Sequence, residues 1–95
     1  TEAFVAIGAG ADVLKFFPGE AATPAIVRAL GAVIPKTVPM LLVGGVATDS
    51  IDRWGDTPIA GFGIGSSLYK PGDTPATVGA KAKAFADALR LAGRL

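Results

Sequence analysis

Apolar and polar positions along the chain form two kinds of segment that alternate. Three short, mostly apolar runs cover residues 11–17, 40–43 and 59–64, and each ends at turn-forming residues. Runs of this length and composition are typical of buried strands. The segments between and around them repeat apolar residues at helical spacing. The pattern therefore predicts four helices and three strands in strict alternation, beginning and ending with a helix.

Threonine residues mark the starts of the predicted helices. Thr1 is a candidate N-cap for a short first helix, and Thr23 and Thr74 each precede a proline, which is favoured at the first helical position. The polar residues 48–50 offer a cap for the third helix, which contains Trp54 in its expected core. The last helix places five apolar residues on one face: Val78, Ala82, Phe85, Leu89 and Ala92.

Alternating helices and apolar strands predict an α/β fold with a parallel sheet covered by helices. We expect residues 1–95 to form a single, partial α/β domain. The chain is too short for a complete (β/α)₈ barrel, which needs about 200 residues or more. Because three parallel strands leave two open edges, the unit is better understood as part of a larger domain.

Composition and charge exclude several classes of function. The chain has no Cys and no His, which leaves no disulfide framework, no thiolate metal site and no histidine base. A net charge of +1 gives no nucleic-acid-binding signature. The apolar runs are too short to span a membrane. The first residues, Thr1-Glu2, lack the basic residues that begin a signal peptide, so no signal peptide is predicted. We therefore expect a cytoplasmic protein without metal, cofactor, membrane or nucleic-acid partner.

Lys15 is the first candidate for chemistry. It lies among apolar residues near the carboxyl end of a predicted strand, where parallel α/β folds place their active sites. Burial there would lower the pKa of its amine and free it to attack a carbonyl. Alternatively, its stem packs against the strand while its ammonium group reaches water. Position alone leaves both interpretations open.

Glycine-rich segments end the other two predicted strands. Gly44-Gly45 precedes a helix, and residues 61–67 combine Gly and Ser. Such turns let backbone N–H groups approach an anion, although tight packing also requires glycine. Neither segment is a dinucleotide-binding fingerprint, because Ser66 occupies the last glycine position of the second one. Glu20 could touch the site, but we expect a surface role for it.

Together these segments resemble the 2-keto-3-deoxy-6-phosphogluconate and 6-phosphogalactonate aldolases. The resemblance rests on residues 14–18, 43–46, Trp54 and 61–69, and it covers nearly the whole chain. The Gly-Ser-x-Leu-Tyr ending and the position of the tryptophan favour the galactonate branch. The resemblance implies the carboxyl-terminal half of a (β/α)₈ barrel, with three parallel strands alternating with four helices.

The resemblance also implies roles for single residues. Lys15 would be the Schiff-base lysine of a class I aldolase, and Phe17 would pack beside bound pyruvate. The backbone of two pairs would hold the substrate phosphate: Gly44 and Gly45, Gly65 and Ser66. The expected substrate is a phosphorylated keto-deoxy sugar acid, cleaved to pyruvate and glyceraldehyde 3-phosphate. The family needs no metal and is usually a homotrimer.

The chain departs from the family in what it lacks. The family's general-base Glu and carboxylate-binding Arg come from early strands, and nothing in this sequence matches them. We therefore expect the isolated chain to be inactive or nearly so. Two other hypotheses remain: a non-catalytic phosphosugar-binding module, and a structural half-barrel that associates with itself or with a complementary half.

Overall fold

The computed structural model describes residues 1–94, so that Leu95, the end of the predicted unit, lies outside the described residues. The chain contains three α-helices and three strands, in the order α1 (Glu2–Gly8), β1 (Leu14–Phe16), α2 (Pro24–Val33), β2 (Met40–Val43), β3 (Ile59–Gly63) and α3 (Pro75–Leu91). Two short 3₁₀ helices, η1 (Gly19–Ala21) and η2 (Ile51–Trp54), follow β1 and β2. Among residues 1–94, no helix is both long enough and apolar enough to cross a membrane.

The three strands form one parallel sheet in the order β1-β2-β3. Lys15 pairs with Leu41, which in turn pairs with Gly61. The register between β2 and β3 shifts once, between Met40 and Leu41. The parallel sheet and its two open edges, predicted from the sequence, are confirmed.

The helices cover one face of this sheet. Alternate strand residues point to that face, and Leu14, Met40 and Leu42 are buried there. The core is completed by residues of the helices and connections, namely Val27, Ile34, Val46, Ile51, Trp54, Ile59 and Phe85. The opposite face carries Lys15, Leu41, Val43, Gly61 and Gly63, none of which belongs to this core. Helices therefore cover one face and not both.

Two of the threonine caps are formed as predicted. The Thr23 hydroxyl accepts a hydrogen bond from the N–H of Ile26 at 3.2 Å, and Thr74 accepts one from the N–H of Thr77 at 3.2 Å. Thr1 stands at the N-cap of α1 but makes no hydrogen bond through its side chain. The Thr-Pro pairs thus fix where α2 and α3 begin.

The first strand is shorter than predicted. A strand over 11–17 was expected, and β1 spans only Leu14–Phe16. β1 is an edge strand, so only its residues opposite Met40–Leu42 have a ladder partner. Val13 is 46% exposed, and apolar character alone does not extend the strand beyond its partner.

The third predicted helix is a 3₁₀ turn. Residues 51–54 form η2, and the chain turns again at Gly55. Four residues allow a single 3₁₀ turn but not a stable α-helix. Trp54 is nevertheless buried at 3% exposure, which confirms its predicted place in the core.

Candidate functional site

A cleft of about 310 Å³ lies at the carboxyl ends of β2 and β3. It is lined by ten residues: Phe17, Glu20, Val43, Gly44, Gly45, Val46, Gly63, Gly65, Ser66 and Ser67. Five of the six residues predicted for the site are among them. The sheet register brings together three segments that are separated along the chain, because parallel strands end at the same edge.

The Gly44-Gly45 turn forms one wall of the cleft in a conformation that favours glycine. Its two φ angles are +102° and +69°, in a region that other L-residues rarely adopt. A Cβ at position 44 would lie 3.0 Å from two ring carbons of Phe17 and 3.2 Å from the backbone nitrogen of Gly19. The turn therefore needs glycine both for its backbone angles and for the close packing of the segment after β1.

The opposite wall of the cleft is a turn that follows β3. The N–H groups of Leu68 and Tyr69 donate to the carbonyl of Gly65 at 2.9 and 3.1 Å. A Cβ at Gly65 would meet nothing within 4 Å, so this glycine leaves open space in the cleft. Ser67 also lines the cleft; it belongs to the candidate segment 61–67, although no role of its own was predicted for it.

Lys15, the sixth predicted site residue, lies outside this cleft. It stands in the middle of β1 on the face that the helices leave uncovered, and its side chain is exposed. It lines an adjoining depression of about 260 Å³ together with α1 residues such as Glu2 and Ala6. Of the two interpretations open from the sequence, exposure of the ammonium group agrees with the structure, and burial does not.

Phe17 lines both the cleft of about 310 Å³ with its two glycine-containing walls (the glycine cleft) and the depression beside Lys15 (the Lys15 depression). The Lys15 ammonium nitrogen lies 6.0 Å from the centroid of the Phe17 ring, at the outer limit of a cation–π contact. The Cδ2 and Cε2 atoms of the ring lie close to Gly44. Phe17 is 69% exposed, so most of its surface is open to the solvent at the cleft and the depression.

Glu20 is the functional candidate that sequence reasoning assigned to the surface. The structure places its carboxylate against the backbone of Gly45, where a Cβ would lie 2.5 Å from Oε2. Glu20 also lines a second, smaller cleft of about 90 Å³ that contains Arg53 and Trp54. Only the tertiary packing of η1 against the turn after β2 reveals this contact.

The resolved electrostatic perturbations lie outside the cleft. The Lys81 ammonium group lies 2.7 Å from the Asp73 carboxylate, and the backbone N–H of Lys70 also donates to it, which lowers the pKa of Asp73. The guanidinium of Arg28 likewise lowers the pKa of Asp56. Within residues 1–94, no group of three or more acidic or other metal-ligating side chains could hold a metal ion.

Two curated relatives resemble this chain over most of its length. A 2-dehydro-3-deoxy-6-phosphogalactonate aldolase from Escherichia coli (strain K12) is 42% identical over 90 residues, which are 95% of this chain and 44% of the relative. A probable 2-dehydro-3-deoxy-6-phosphogalactonate aldolase from Rhizobium meliloti (strain 1021) is 44% identical over 72 residues, 76% of this chain and 34% of the relative. The chain thus spans less than half the length of these relatives. No protein-family model matches it.

Solved structures show the same fold. One described as a native KDPGal structure superposes with a TM-score of 0.91 at 41% identity, covering 99% of this chain and 46% of its own. A cube-shaped, highly porous protein cage, designed by fusing symmetric oligomeric domains, superposes with a TM-score of 0.90 at 41% identity. That match covers 98% of this chain and 34% of the cage protein.

Proposed function

The chain belongs to the 2-dehydro-3-deoxy-6-phosphogalactonate aldolase family, and from that premise we propose that it supplies the Schiff-base lysine and the phosphate cleft of a class I aldolase. Lys15 is the nucleophile. The backbone of Gly44, Gly45, Gly65 and Ser66 receives the substrate phosphate. In this proposal, the chain forms the carboxyl-terminal half of a (β/α)₈ barrel and a single domain.

The observation that carries this proposal is the position of Phe17 between an exposed amine and a glycine-walled cleft. The Lys15 depression and the cleft share this ring in their linings. An extended sugar acid can therefore present its keto group to the amine and its distal phosphate to the backbone N–H groups. The Phe17 ring would pack against the pyruvyl portion between them.

The proposed reaction is a retro-aldol cleavage through an imine. The Lys15 amine attacks the C2 carbonyl, and loss of water gives a protonated imine. A base removes the proton of the C4 hydroxyl, the C3–C4 bond breaks, and its electron pair passes into the imine as an enamine. Glyceraldehyde 3-phosphate leaves, C3 is protonated, and water hydrolyses the imine to release pyruvate and the free amine.

The proposed substrate is 2-dehydro-3-deoxy-6-phosphogalactonate, because both curated relatives carry that name. The alternative is the phosphogluconate epimer, which differs in the orientation of one hydroxyl group. The protein carrying this chain is assayed with matched concentrations of the two acids. Release of glyceraldehyde 3-phosphate from one epimer but not from the other decides between them.

The isolated chain is proposed to be inactive or nearly so. The base for the C4 hydroxyl and the group that binds the substrate carboxylate have no match in this sequence. Lys15 also stands on an open face, where water competes with an ordered substrate. The active protein is proposed to be a homotrimer of complete barrels in the cytoplasm. Family-like rates of cleavage by the 95-residue chain alone would contradict this point.

The test of the nucleophile is reductive trapping with pyruvate. The protein carrying this chain is incubated with pyruvate and borohydride, and the modified peptide is located by mass spectrometry. We expect the adduct on Lys15, its loss in Lys15→Met, and its retention in Lys36→Met, which removes an exposed lysine at the amino end of the sheet. An adduct-free Lys15 would favour a non-catalytic phosphosugar-binding module, in which Lys15→Met weakens binding but removes no catalysis.

A further inference from the structure

Glu20 is the only charged residue that lines the glycine cleft, as far as the described residues 1–94 show. The other nine lining residues are apolar, glycine or serine. A site meant for a phosphate dianion would ordinarily place a positive charge, not a carboxylate, at such a position. This contrast between the glycine walls and the single acidic side chain needs an explanation.

The Glu20 carboxylate lies against Gly45, on the side where a Cβ of that residue would be. A Cβ at Gly45 would come 2.5 Å from its Oε2 and 2.9 Å from its Cδ. A phosphate bound to the N–H groups of this turn would therefore share a wall of the cleft with a negative charge. Glu20 is an exposed residue, so water and salt weaken this repulsion, but two negative charges in one cleft still disfavour each other.

Arg53 lines the smaller adjoining cleft together with Glu20 but forms no ion pair with it. Its guanidinium carbon lies 5.6 Å from the centroid of the Trp54 ring. No ion pair of 4.0 Å or less joins Glu20 to any cation in the described part of the chain. The carboxylate thus faces the cleft without a partner that would neutralise it.

We propose that Glu20 is a specificity-determining residue of the glycine cleft, one that weakens binding of a phosphate dianion and so narrows the preference for phosphorylated over unphosphorylated keto-deoxy sugar acids. This proposal rests on the proposed function, because it takes the cleft as the phosphate site. The backbone N–H groups of the glycine turns attract the phosphate, and the Glu20 carboxylate reduces the affinity that results. An unphosphorylated acid, whose distal hydroxyl is neutral, does not experience the repulsion.

The experiment measures binding of inorganic phosphate to the protein carrying this chain, through the amide NMR shifts of Gly44, Gly45 and Ser66. Glu20→Gln removes the charge and keeps the shape, and Glu20→Ala removes the whole carboxylate group. Asp12→Asn is the matched control, because it makes the same charge change before β1, at the amino end of the sheet. Each titration is performed at low and at high ionic strength.

We expect both Glu20 variants to bind phosphate about threefold to tenfold more tightly than the wild type at low ionic strength. The difference should shrink at high ionic strength, and Asp12→Asn should bind like the wild type. Equal or weaker binding by the Glu20 variants, with shifts still confined to the cleft, would overturn the role of Glu20 and leave the phosphate cleft intact. Absence of cleft shifts in every protein would overturn the phosphate cleft itself, and the role of Glu20 with it.

Discussion

The two faces of the sheet differ in what their residues do. On the covered face, Leu42 is 1% exposed and Met40 is 4% exposed, and both pack against residues of the helices. On the open face, the neighbouring Leu41 is only partly buried and Lys15 is exposed. Stability is concentrated on the first face, and the candidate nucleophile occupies the second.

This division follows from the geometry of a strand, since successive side chains point to opposite faces. Leu14 is buried, and the next residue along β1, Lys15, lies on the open face. In the same way, Leu41 and Leu42 are adjacent in β2 and point to opposite faces. A site residue on the open face can therefore change without disturbing the core. The glycine cleft occupies the carboxyl edge of the sheet, between η1 and the turns after β2 and β3.

The largest expected effect comes from truncating the covered face. Leu42→Ala removes a fully buried side chain and should lower the free energy of unfolding by about 2–5 kcal/mol. Leu41→Ala is the matched change on the open face and should cost about 1 kcal/mol or less. Urea denaturation of both variants, followed by circular dichroism, measures the difference. Equal losses would show that the open face contributes to the core as much as the covered one.

The next effect concerns the cleft walls. Gly44→Ala combines a positive φ with contact against the Phe17 ring, and we expect a loss of about 1–3 kcal/mol in unfolding free energy together with weaker phosphate binding. Gly65→Ala, where a methyl group meets nothing, should change stability by less than about 0.5 kcal/mol. Chemical denaturation and phosphate titration of both variants test the pair. A Gly44→Ala protein as stable as Gly65→Ala would contradict the tight approach.

A smaller, pH-dependent effect is expected at the start of the last covering helix. The folded-state pKa of Asp73 is lowered chiefly by its hydrogen bond from Lys81, so its stabilising contribution is present above the unfolded pKa of about 3.9. It is lost as the pH falls through the lower folded-state value. Melting temperatures of wild type and Asp73→Asn should therefore differ at neutral pH and converge in acid. Asp87→Asn, which alters only exposed ion pairs, is the control.

The smallest effect on stability is expected at Lys15, the proposed nucleophile. Lys15→Met exchanges an exposed side chain on the open face and should change the free energy of unfolding by less than about 0.5 kcal/mol. Denaturant unfolding of the variant, compared with Leu41→Ala beside it, measures this. Marked destabilisation would mean that Lys15 supports the fold, and its loss of pyruvate trapping would then have a structural explanation.

The positions of the main elements could be predicted because they depend on local signals. The Thr-Pro pairs at 23–24 and 74–75 fixed the starts of α2 and α3, where the capping bonds are formed. The ends of β1 could not be predicted, because a strand extends only as far as its partner. The prediction of a helix around Trp54 was wrong, because the spacing of apolar residues did not reveal that the chain turns again after four residues.

The cleft could be predicted in part, because glycine-rich turns at strand ends are visible in a sequence. Gly44, Gly45, Gly65 and Ser66 line it together, as expected from strands that end at one edge. Glu20 was expected to be a surface residue that could touch the site. It is exposed, and it also lies against Gly45, a contact between segments that are distant along the chain.

The sequence by itself determined the alternation of helices and strands, the parallel sheet, and the family to which the chain belongs, because periodicity, caps and motif spacing are local properties. Only the tertiary structure decided which face of the sheet is covered, that the Lys15 side chain is exposed, and that a carboxylate lies on the glycine turn. These depend on the packing of segments far apart in the chain, where distances of a few ångströms, and not residue types, separate attraction from repulsion.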